Sequence, residues 1–324
     1  MYSVSELQNI INNEIDRLDY LGRKPHELYE PVCYALNNGG KRLRPLLTLM
    51  GCNLLSKEIE TAVKPALAFE VFHNFTLLHD DIMDNAAVRR NKPTVHKKWD
   101  PNTAILSGDA MLILAYELLS GVPGNFLKES LDIFNKTALE VCEGQQYDMN
   151  FEKAPNTTEN EYLEMIRLKT SVLMAASLQL GALLGGASVE ERENIYLFGQ
   201  NLGMAFQLQD DFLDTYGDEK TFGKQIGGDI VMNKKTFLLV KTIELAKESD
   251  IKKLKHLLFE ENEPSKKIAG VKSIYERVNV AGITQKKISE YFTAALKSMD
   301  KIKVPDNRKT PLLDLTNNMF DRRV

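Results

Sequence analysis

Residues 59–88 read IETAVKPALAFEVFHNFTLLHDDIMDNAAV, and residues 189–216 read VEERENIYLFGQNLGMAFQLQDDFLDTY. Each segment contains turns that are apolar on every side next to turns that are polar. Helices that are hydrophobic around much of their circumference belong in the interior of a bundle. The two segments therefore predict an all-α fold in which long helices are buried.

The rest of the chain has the same helical character. Near the N-terminus, Leu7, Ile10, Ile11, Ile15 and Leu18 have the i, i+3, i+4 spacing of an amphipathic helix, and strand-like alternation is scarce throughout. No Pro/Ser-rich linker or shift in composition divides the sequence. We expect one large all-helical domain over residues 1–324, with breaks at 39–40, 89–101, 121–124, 155–158, 185–186, 217–228 and 305–307.

Composition excludes several classes of protein. The chain has 324 residues and a formal net charge of −4, whereas nucleic-acid-binding domains usually carry a basic excess. Its three cysteines form no CxxC pair, which disfavours a disulfide framework or a zinc site. The sequence shows no signal peptide and no stretch of eighteen uncharged apolar residues. We therefore expect a cytoplasmic protein that binds no nucleic acid and has no membrane span.

One acidic pattern occurs twice, each time in an apolar helical context. Residues 80–84 read DDIMD and residues 210–214 read DDFLD. On a helix, positions i and i+4 share a face with their Cβ atoms about 6 Å apart. Asp80 therefore pairs with Asp84, and Asp210 pairs with Asp214.

Carboxylates this close repel each other and are costly to bury beside apolar side chains. A hard divalent cation relieves both problems, and Mg²⁺ commonly joins one or two carboxylates to substrate phosphates. The alternative is a solvated acidic helix face, which a single cluster would favour. Two copies in matching apolar contexts instead favour a multi-metal diphosphate site.

Basic residues follow at several points, as a diphosphate site requires. The segment Gly39–Pro45 carries three positive charges after a glycine break, and Lys41 and Arg44 can share a helical face. Taken singly, each basic position is also compatible with a solvated helix start, a charged loop or a snorkelling lysine. The remaining basic positions are Arg89, Arg90, Lys169, Lys224 and Lys234.

The order of these pieces resembles that of the trans-isoprenyl diphosphate synthases, short-chain type, which make farnesyl or geranylgeranyl diphosphate. The resemblance extends from Gly39 to Thr236, well over half of the sequence. Its pieces, in order, are Gly39–Pro45, Phe72-His73, Asp80–Asp84, Arg89-Arg90, Lys169-Thr170, Phe206-Gln207, Asp210–Asp214 and Gly223-Lys224.

The resemblance implies a function and a role for each matching residue. The enzyme would condense isopentenyl diphosphate with dimethylallyl, geranyl or farnesyl diphosphate, and three Mg²⁺ ions would assist ionisation. The implied metal ligands are Asp80, Asp84, Asp210 and Asp214. Lys41, Arg44, His73 and Arg90 would bind isopentenyl diphosphate, while Arg89, Lys169, Lys224 and Lys234 would bind the allylic diphosphate and Thr170 and Gln207 would line its reacting end. The catalytic set would be Asp80, Asp84, Asp210, Lys169 and Lys224.

The family's fold and assembly are implied in the same way. Relatives are helical bundles around a central apolar cavity and are usually homodimers. Phe75 and Thr76 precede the first cluster by about one turn, where an aromatic residue is associated with short products. Plain core packing of Phe75 is the alternative. The C-terminal Arg322-Arg323 matches the basic tail of some relatives only loosely, so no role is implied for it.

Three other functions compete with a synthase. A terpene cyclase would share the first cluster, but cyclases typically carry an Asn/Ser/Glu pattern in place of the second. A metal-dependent phosphohydrolase could use His79-Asp80, but such sites need several more histidines and the chain has five in all. An inactive partner subunit would have no need of both acidic clusters and the basic set.

Overall fold

The computed structural model describes residues 1–154, 156–218 and 226–320. In these ranges the chain is almost entirely helical, as predicted. The helices are α1 (Val4–Asp16), α2 (His26–Leu36), α3 (Leu43–Leu55), α4 (Glu60–Met83), α5 (Val95–Lys98), α6 (Pro101–Leu119), α7 (Gly124–Lys153), α8 (Glu159–Ile166), α9 (Val172–Leu184), α10 (Val189–Tyr216), α11 (Gly228–Val231), α12 (Phe237–Leu245), α13 (Glu248–Phe259), α14 (Pro264–Arg277), α15 (Val280–Asp300) and α16 (Asp306–Phe320).

The chain divides into two compact units. The first contains residues 1–137, 173–196 and 301–312, and the second contains residues 138–172, 197–300 and 313–324. That these units form one domain stays a prediction.

The core of the first unit is built on α4, which packs against α3 and α6. Phe69 and Phe72 of α4 lie against Phe134, with ring centroids 5.6 and 5.2 Å apart. In the same unit, α3 and α9 approach closely at Gly51 and Gly181, where a Cβ would collide with backbone of the opposite helix. This packing fixes α4, which carries the first acidic cluster at its C-terminal end.

In the second unit, buried apolar residues surround the C-terminal half of α10. Met204, Ala205, Leu208 and Phe212 pack with side chains from α7, α8, α12 and α15. The second acidic cluster therefore belongs to a helix that is enclosed on several sides, as its all-round apolar character predicts.

The C-terminal end of α4 differs from the prediction. Helical structure ends at Met83, before the predicted limit of Val88, because Asn85 adopts a left-handed backbone with φ of 49°. Asn is one of the few residue types that enter this region readily. The chain then forms a short antiparallel hairpin from β1 (Val88–Arg89) and β2 (Lys92–Pro93), with Val88 opposite Pro93.

The predicted helix over residues 162–184 is interrupted. Its N-terminus is capped by Thr158, whose hydroxyl accepts the amide of Glu161 in a capping box, as the local sequence predicts. Residues Arg167–Ser171 then form a π-helical turn between α8 and α9. Such turns often occur at functional sites, and this one contains Lys169 and Thr170.

Helix α6 is unusually apolar at its surface. Within the described part of the chain it is the one helix long and apolar enough to cross a membrane by length and composition, and 39% of its apolar stretch is buried. A core helix of a soluble protein meets the same criterion, so this is weak support for a membrane span. Its exposed apolar side chains include Ile105, Leu106 and Ile113.

Candidate active site

The outer aspartates of the first cluster lie one helical turn apart. The amide of Asp84 donates to the carbonyl of Asp80 at 2.9 Å, so the two residues share a face at the end of α4. The Asp80 side chain is 16% exposed and Asp84 is exposed. The predicted pairing of these two carboxylates therefore agrees with the backbone.

The middle aspartate of this cluster, Asp81, is directed inward. Its Oδ1 accepts the Nε of Arg89 at 2.7 Å, and the same guanidinium lies 3.2 Å from Oδ2 of Asp80 through Nη2. Burial raises the pKa of Asp81 to about 6, and Arg89 opposes this rise. Asp81 thus anchors Arg89 beside the cluster.

The segment that precedes α3 is a turn rather than a helix start. Gly39, Gly40 and Arg42 have φ of 75°, 121° and 48°, and α3 begins only at Leu43. The prediction that Lys41 and Arg44 share a helical face is therefore wrong, because Lys41 precedes the helix. Arg90 donates through Nη1 to the Gly39 carbonyl, and its guanidinium occupies the place that a Cβ on Gly40 would take.

The structure brings Arg44, His73 and Arg90 into one electrostatic environment. Burial holds the pKa of His73 well below its usual range, and the nearby Arg44 and Arg90 lower it further. Burial also lowers the pKa of Arg44 to about 10, although the carboxylate of Glu70 partly offsets this. A neutral imidazole among guanidinium groups is an arrangement that attracts an anion.

The two residues predicted to control product length lie one turn before the first cluster. The Phe75 ring makes an edge contact with His79 at 4.8 Å between centroids and lies 5.6 Å from Phe72. The Thr76 hydroxyl donates to the carbonyl of His73 at 2.7 Å. Phe75 is only partly buried, so part of its ring is accessible.

In the second cluster the middle aspartate is again turned inward. Asp211 accepts hydrogen bonds from the Tyr162 hydroxyl, from Nε2 of Gln207 at 3.1 Å and from the amide of Phe237 at 3.3 Å. Burial raises its pKa to about 7, with a further contribution from Asp229. Gln207 in turn accepts the Thr170 hydroxyl at 3.3 Å, so two predicted substrate-binding residues are joined.

The last aspartate of the second cluster is buried and is linked to the short helix α11, which carries another acid. Asp214 accepts the amide of Asp229 at 2.9 Å through Oδ2. Lys234 lies close by, with its Nζ 3.7 Å from Oδ1 of Asp229. Asp210 is partly exposed on the same helix as Asp214.

Lys169 is held by a residue of α7. Its Nζ donates to Oδ2 of Asp148 at 2.6 Å. Gly144, one turn before Asp148, allows this approach, because a Cβ there would collide with the backbone of Lys169. The prediction that Lys169 is either at the surface or paired with an anion is resolved in favour of pairing.

Sequence reasoning assigned no role to Glu70, Asp148 or Asp229. Glu70 has only non-acidic neighbours within a helical turn on either side, and Asp148 is one of several scattered acidic residues of α7, so no local pattern marks either residue. Asp229 follows a glycine pair, which was a usable signal of a loop that approaches a ligand. Lys224, the remaining predicted site residue, lies outside the described residues, as does Arg322-Arg323.

The acidic residues fit a magnesium ion that is bound jointly by the protein and by substrate phosphates better than an ion bound by protein side chains alone. Within residues 1–154, 156–218 and 226–320, no three His, Cys, Asp or Glu side chains converge on a point that could hold a metal. Mg²⁺ usually keeps several waters and is bound through one or two carboxylates together with substrate phosphates. Asp80 and Asp84 supply such a pair, whereas Asp81 is occupied by Arg89.

Comparison with known proteins decides the family. The model of the polyprenyl synthetase family matches residues 25–278. This chain belongs to the polyprenyl synthetase family. Over 99% of its length it is 38% identical to a geranylgeranyl diphosphate synthase of Methanosarcina mazei, and it covers 98% of that protein.

Solved structures of this family have the same fold. A crystal structure of a geranylgeranyl pyrophosphate synthase matches with a TM-score of 0.93 and 44% identity over 100% of both chains. The geranylgeranyl pyrophosphate synthase from Corynebacterium glutamicum, complexed with isoprenyl diphosphate and magnesium, matches with a TM-score of 0.84 and 26% identity over 99% of this chain and 97% of the other.

The protein is therefore an enzyme, a short-chain prenyltransferase with the isoprenoid synthase helical fold. These matches confirm the predicted family, and they support a synthase over a cyclase, a phosphohydrolase or an inactive partner.

Proposed function

We propose that the enzyme condenses isopentenyl diphosphate with an allylic diphosphate and that its main product is geranylgeranyl diphosphate. The observation that carries this proposal is that the aspartates within each acidic cluster differ in burial and in hydrogen bonding. Asp81 and Asp211 are buried and make internal hydrogen bonds, whereas Asp80, Asp84 and Asp210 are more exposed. Asp214 is buried and accepts the amide of Asp229 in α11. The names of the similar synthases favour the twenty-carbon product over farnesyl diphosphate.

Isopentenyl diphosphate would bind at the cluster formed by Arg44, His73 and Arg90, with Lys41 from the adjoining turn. Burial lowers the pKa of His73, and the guanidinium groups lower it further. An anionic ligand would relieve the mutual repulsion of these guanidinium groups. Planar guanidinium groups match phosphate geometry, which suits Arg44 and Arg90 to this task.

The allylic diphosphate would be bound by a second basic set with the two acidic clusters. Arg89 is already positioned by Asp81, and Lys169 is positioned by Asp148. Thr170 and Gln207, joined by their hydrogen bond, would line the reacting end. Lys224 and Lys234 complete the proposed set.

The metal ligands would be Asp80, Asp84, Asp210 and Asp214, and three Mg²⁺ ions remain the proposed number. Bound Mg²⁺ would supply electrostatic stabilisation of the diphosphate as negative charge develops on it. Asp80 is held at 3.2 Å from Arg89, so its carboxylate has a fixed orientation before substrate arrives.

The reaction begins when the C–O bond of the allylic diphosphate breaks and its electron pair leaves with the diphosphate. Lys169 and Arg89 donate hydrogen bonds to the departing oxygens. The double bond of isopentenyl diphosphate then attacks the allylic cation, and a new carbon–carbon bond forms. The departed diphosphate takes the proton that is lost. Apolar surroundings exclude water, which would otherwise quench the cation.

We also propose a cytoplasmic homodimer. Support for the dimer comes from α6, where Leu106 and Ile113 are seven residues apart on one face and are 60% and 66% exposed. Exposed apolar side chains that cluster on a helix face are typical of an interface.

Substitution of Asp80 by Ala tests the function. We expect the loss of kcat to be at least about 100-fold, because a group that stabilises developing charge is removed. The assay uses labelled isopentenyl diphosphate, Mg²⁺ and each allylic primer, and EDTA should stop the wild-type reaction. Asp16→Ala, at the exposed end of α1, is the matched control and should retain activity. Normal turnover by Asp80→Ala would exclude the proposed mechanism.

A further inference from the structure

Glu70 is a carboxylate buried in α4, and only 3% of its side chain is exposed. Its Oε1 accepts Nη1 of Arg42 at 2.6 Å and Nδ2 of Asn74 at 3.0 Å. Its Oε2 is also buried and has no hydrogen-bond partner among the described residues. A buried carboxylate is costly, and replacing such an ion pair by apolar residues is often neutral or stabilising. Packing alone therefore gives no reason for a charge at this position.

Arg42, the partner of Glu70, holds the turn that leads into α3. Its guanidinium donates to Glu70 and, through Nη2, to the carbonyl of Leu36. Its own backbone is left-handed, which is uncommon for arginine and redirects the chain between Gly40 and Leu43. The contact with Glu70 therefore holds the side chain of Arg42, the residue that immediately precedes α3.

The other side of the same turn is held by Arg90, which donates to the carbonyl of Gly39. Arg44 is the second residue of α3, and its Nε is buried with no hydrogen-bond partner in the described structure. The carboxylate of Glu70 interacts electrostatically with both Arg44 and Arg90, although Arg42 is the one arginine among the described residues that donates a hydrogen bond to it. The guanidinium of Arg42 is thus hydrogen-bonded inside the protein, and the guanidinium groups of Arg44 and Arg90 lie near the same carboxylate.

We propose that Glu70 is a positioning residue for isopentenyl diphosphate: by binding Arg42 it fixes the turn of residues 39–44, so that Arg44 and Arg90 receive the diphosphate. The inference rests on the proposed function, which assigns isopentenyl diphosphate to this cluster. Glu70 itself does not contact the ligand. Its loss would free Arg42 to reorient the turn and compete for the anion.

The test is Glu70→Gln, which keeps the size of the side chain and removes its charge. We expect the KM for isopentenyl diphosphate to rise at least about tenfold, since one partner of a buried charged pair is lost. The kcat and the KM for the allylic diphosphate should change less than about twofold, because Arg89 and Lys169 are held by other carboxylates. Glu60→Gln, exposed on the same helix, is the matched control and should behave as wild type.

A purely structural role predicts a different result. It would lower the fraction of active enzyme, and hence kcat, without separating the two KM values. Glu70→Asp should restore much of the affinity, because the negative charge returns. A folded Glu70→Gln variant with an unchanged KM for isopentenyl diphosphate, or with both KM values raised equally, would overturn the proposal.

A second variant covers the possibility that Glu70→Gln does not fold. The double variant Arg42→Met with Glu70→Leu removes both charges, a replacement that buried ion pairs often tolerate. It should give the same selective rise in KM, because the turn loses its anchor. Failure of both variants to fold, judged by circular dichroism, would show that Glu70 is a structural residue and would also overturn the proposal.

Calorimetry with isopentenyl thiodiphosphate as an analogue, in the absence of an allylic primer so that no condensation can occur, separates this inference from the proposed function. Wild type should bind the analogue, and Glu70→Gln should bind it at least about tenfold more weakly. A wild-type chain that makes no prenyl product from any primer would refute the proposed function. An active wild type whose affinity for the analogue is unchanged by Glu70→Gln would refute only the role of Glu70.

Discussion

At the scale of single residues, the three aspartates of each cluster have different surroundings although the two patterns match in sequence. Asp81 binds Arg89, and Asp211 binds Tyr162 and Gln207. Each middle aspartate therefore organises a neighbouring residue with a proposed substrate role. We infer that it acts through these neighbours, whereas the outer aspartates bind the metal.

The raised pKa of Asp211 predicts how stability depends on pH. Burial, the largest cause, places the pKa near 7, compared with about 3.9 for an unfolded aspartate. Between about pH 4 and pH 7 the folded chain keeps a proton that the unfolded chain has lost. This contribution to stability is therefore complete below pH 4 and is lost as the pH rises through 7, with a slope of at most about 1.4 kcal/mol per pH unit.

Asp211→Asn should flatten this dependence, because the amide does not titrate. The measurement is urea unfolding of wild type and variant between pH 4 and pH 8, in EDTA so that metal binding does not contribute. Identical slopes in the two proteins would contradict the assignment.

Phe75 should limit product length, since its ring lies one turn before the first cluster and is held by His79. Phe75→Ala opens space at this point, and we expect longer prenyl products with the same primers. Chromatography of the products is the measurement. Phe126→Ala, which removes a partly exposed aromatic ring from α7, should leave the products unchanged. An unaltered spectrum from Phe75→Ala would favour plain core packing.

At the scale of elements, the π-helical turn of residues 167–171 depends on α7. Gly144 lets the backbone of Lys169 approach the helix, and Asp148 then receives the ammonium group. A π-helical turn rotates the residues that follow it relative to a regular helix. The orientation of Lys169 and Thr170 is therefore set by contact between two helices.

Gly144→Ala should damage both stability and activity. The new Cβ would meet backbone atoms of Lys169, which cannot move aside without shifting the turn. We expect a loss of about 1–3 kcal/mol in unfolding free energy and a lower kcat. Gly124→Ala is the control on the same helix, because no atom lies within 4 Å of its added Cβ. Thermal unfolding and steady-state kinetics would measure both effects, and wild-type values for Gly144→Ala would contradict the prediction.

At the scale of the whole molecule, the apolar face of α6 should bury itself in a homodimer. Leu106→Glu replaces an exposed apolar side chain of this face by a second charge near Asp109, and desolvating it would be costly. We expect wild type to have about twice the chain mass of 36.7 kDa by light scattering and the variant to shift towards the monomer. Leu21→Glu, at another exposed apolar position, should remain dimeric. A monomeric wild type would refute the dimer.

The features that the sequence predicts correctly or proposes for the site depend on local signals. The repeated Asp-Asp-x-x-Asp pattern indicates Asp80, Asp84, Asp210 and Asp214 as candidate metal ligands, a role that stays a prediction. The helical period places Asp80 and Asp84 on one face, as the backbone confirms. The capping box at Thr158 also depends only on neighbouring residues. Glu70 and Asp148 were not predictable, since their partners lie 28 and 21 residues away.

The sequence by itself determined the helical fold class and the family, and it gave the proposal for the acidic metal ligands, because periodicity and motif order are properties of the chain. Only the tertiary structure decided which aspartate of each cluster is turned inward, where Arg42 is anchored and how Lys169 is held. Those outcomes depend on burial and on charges that folding brings together. A buried charge needs a partner, and the tertiary packing determines which residue lies close enough to be that partner.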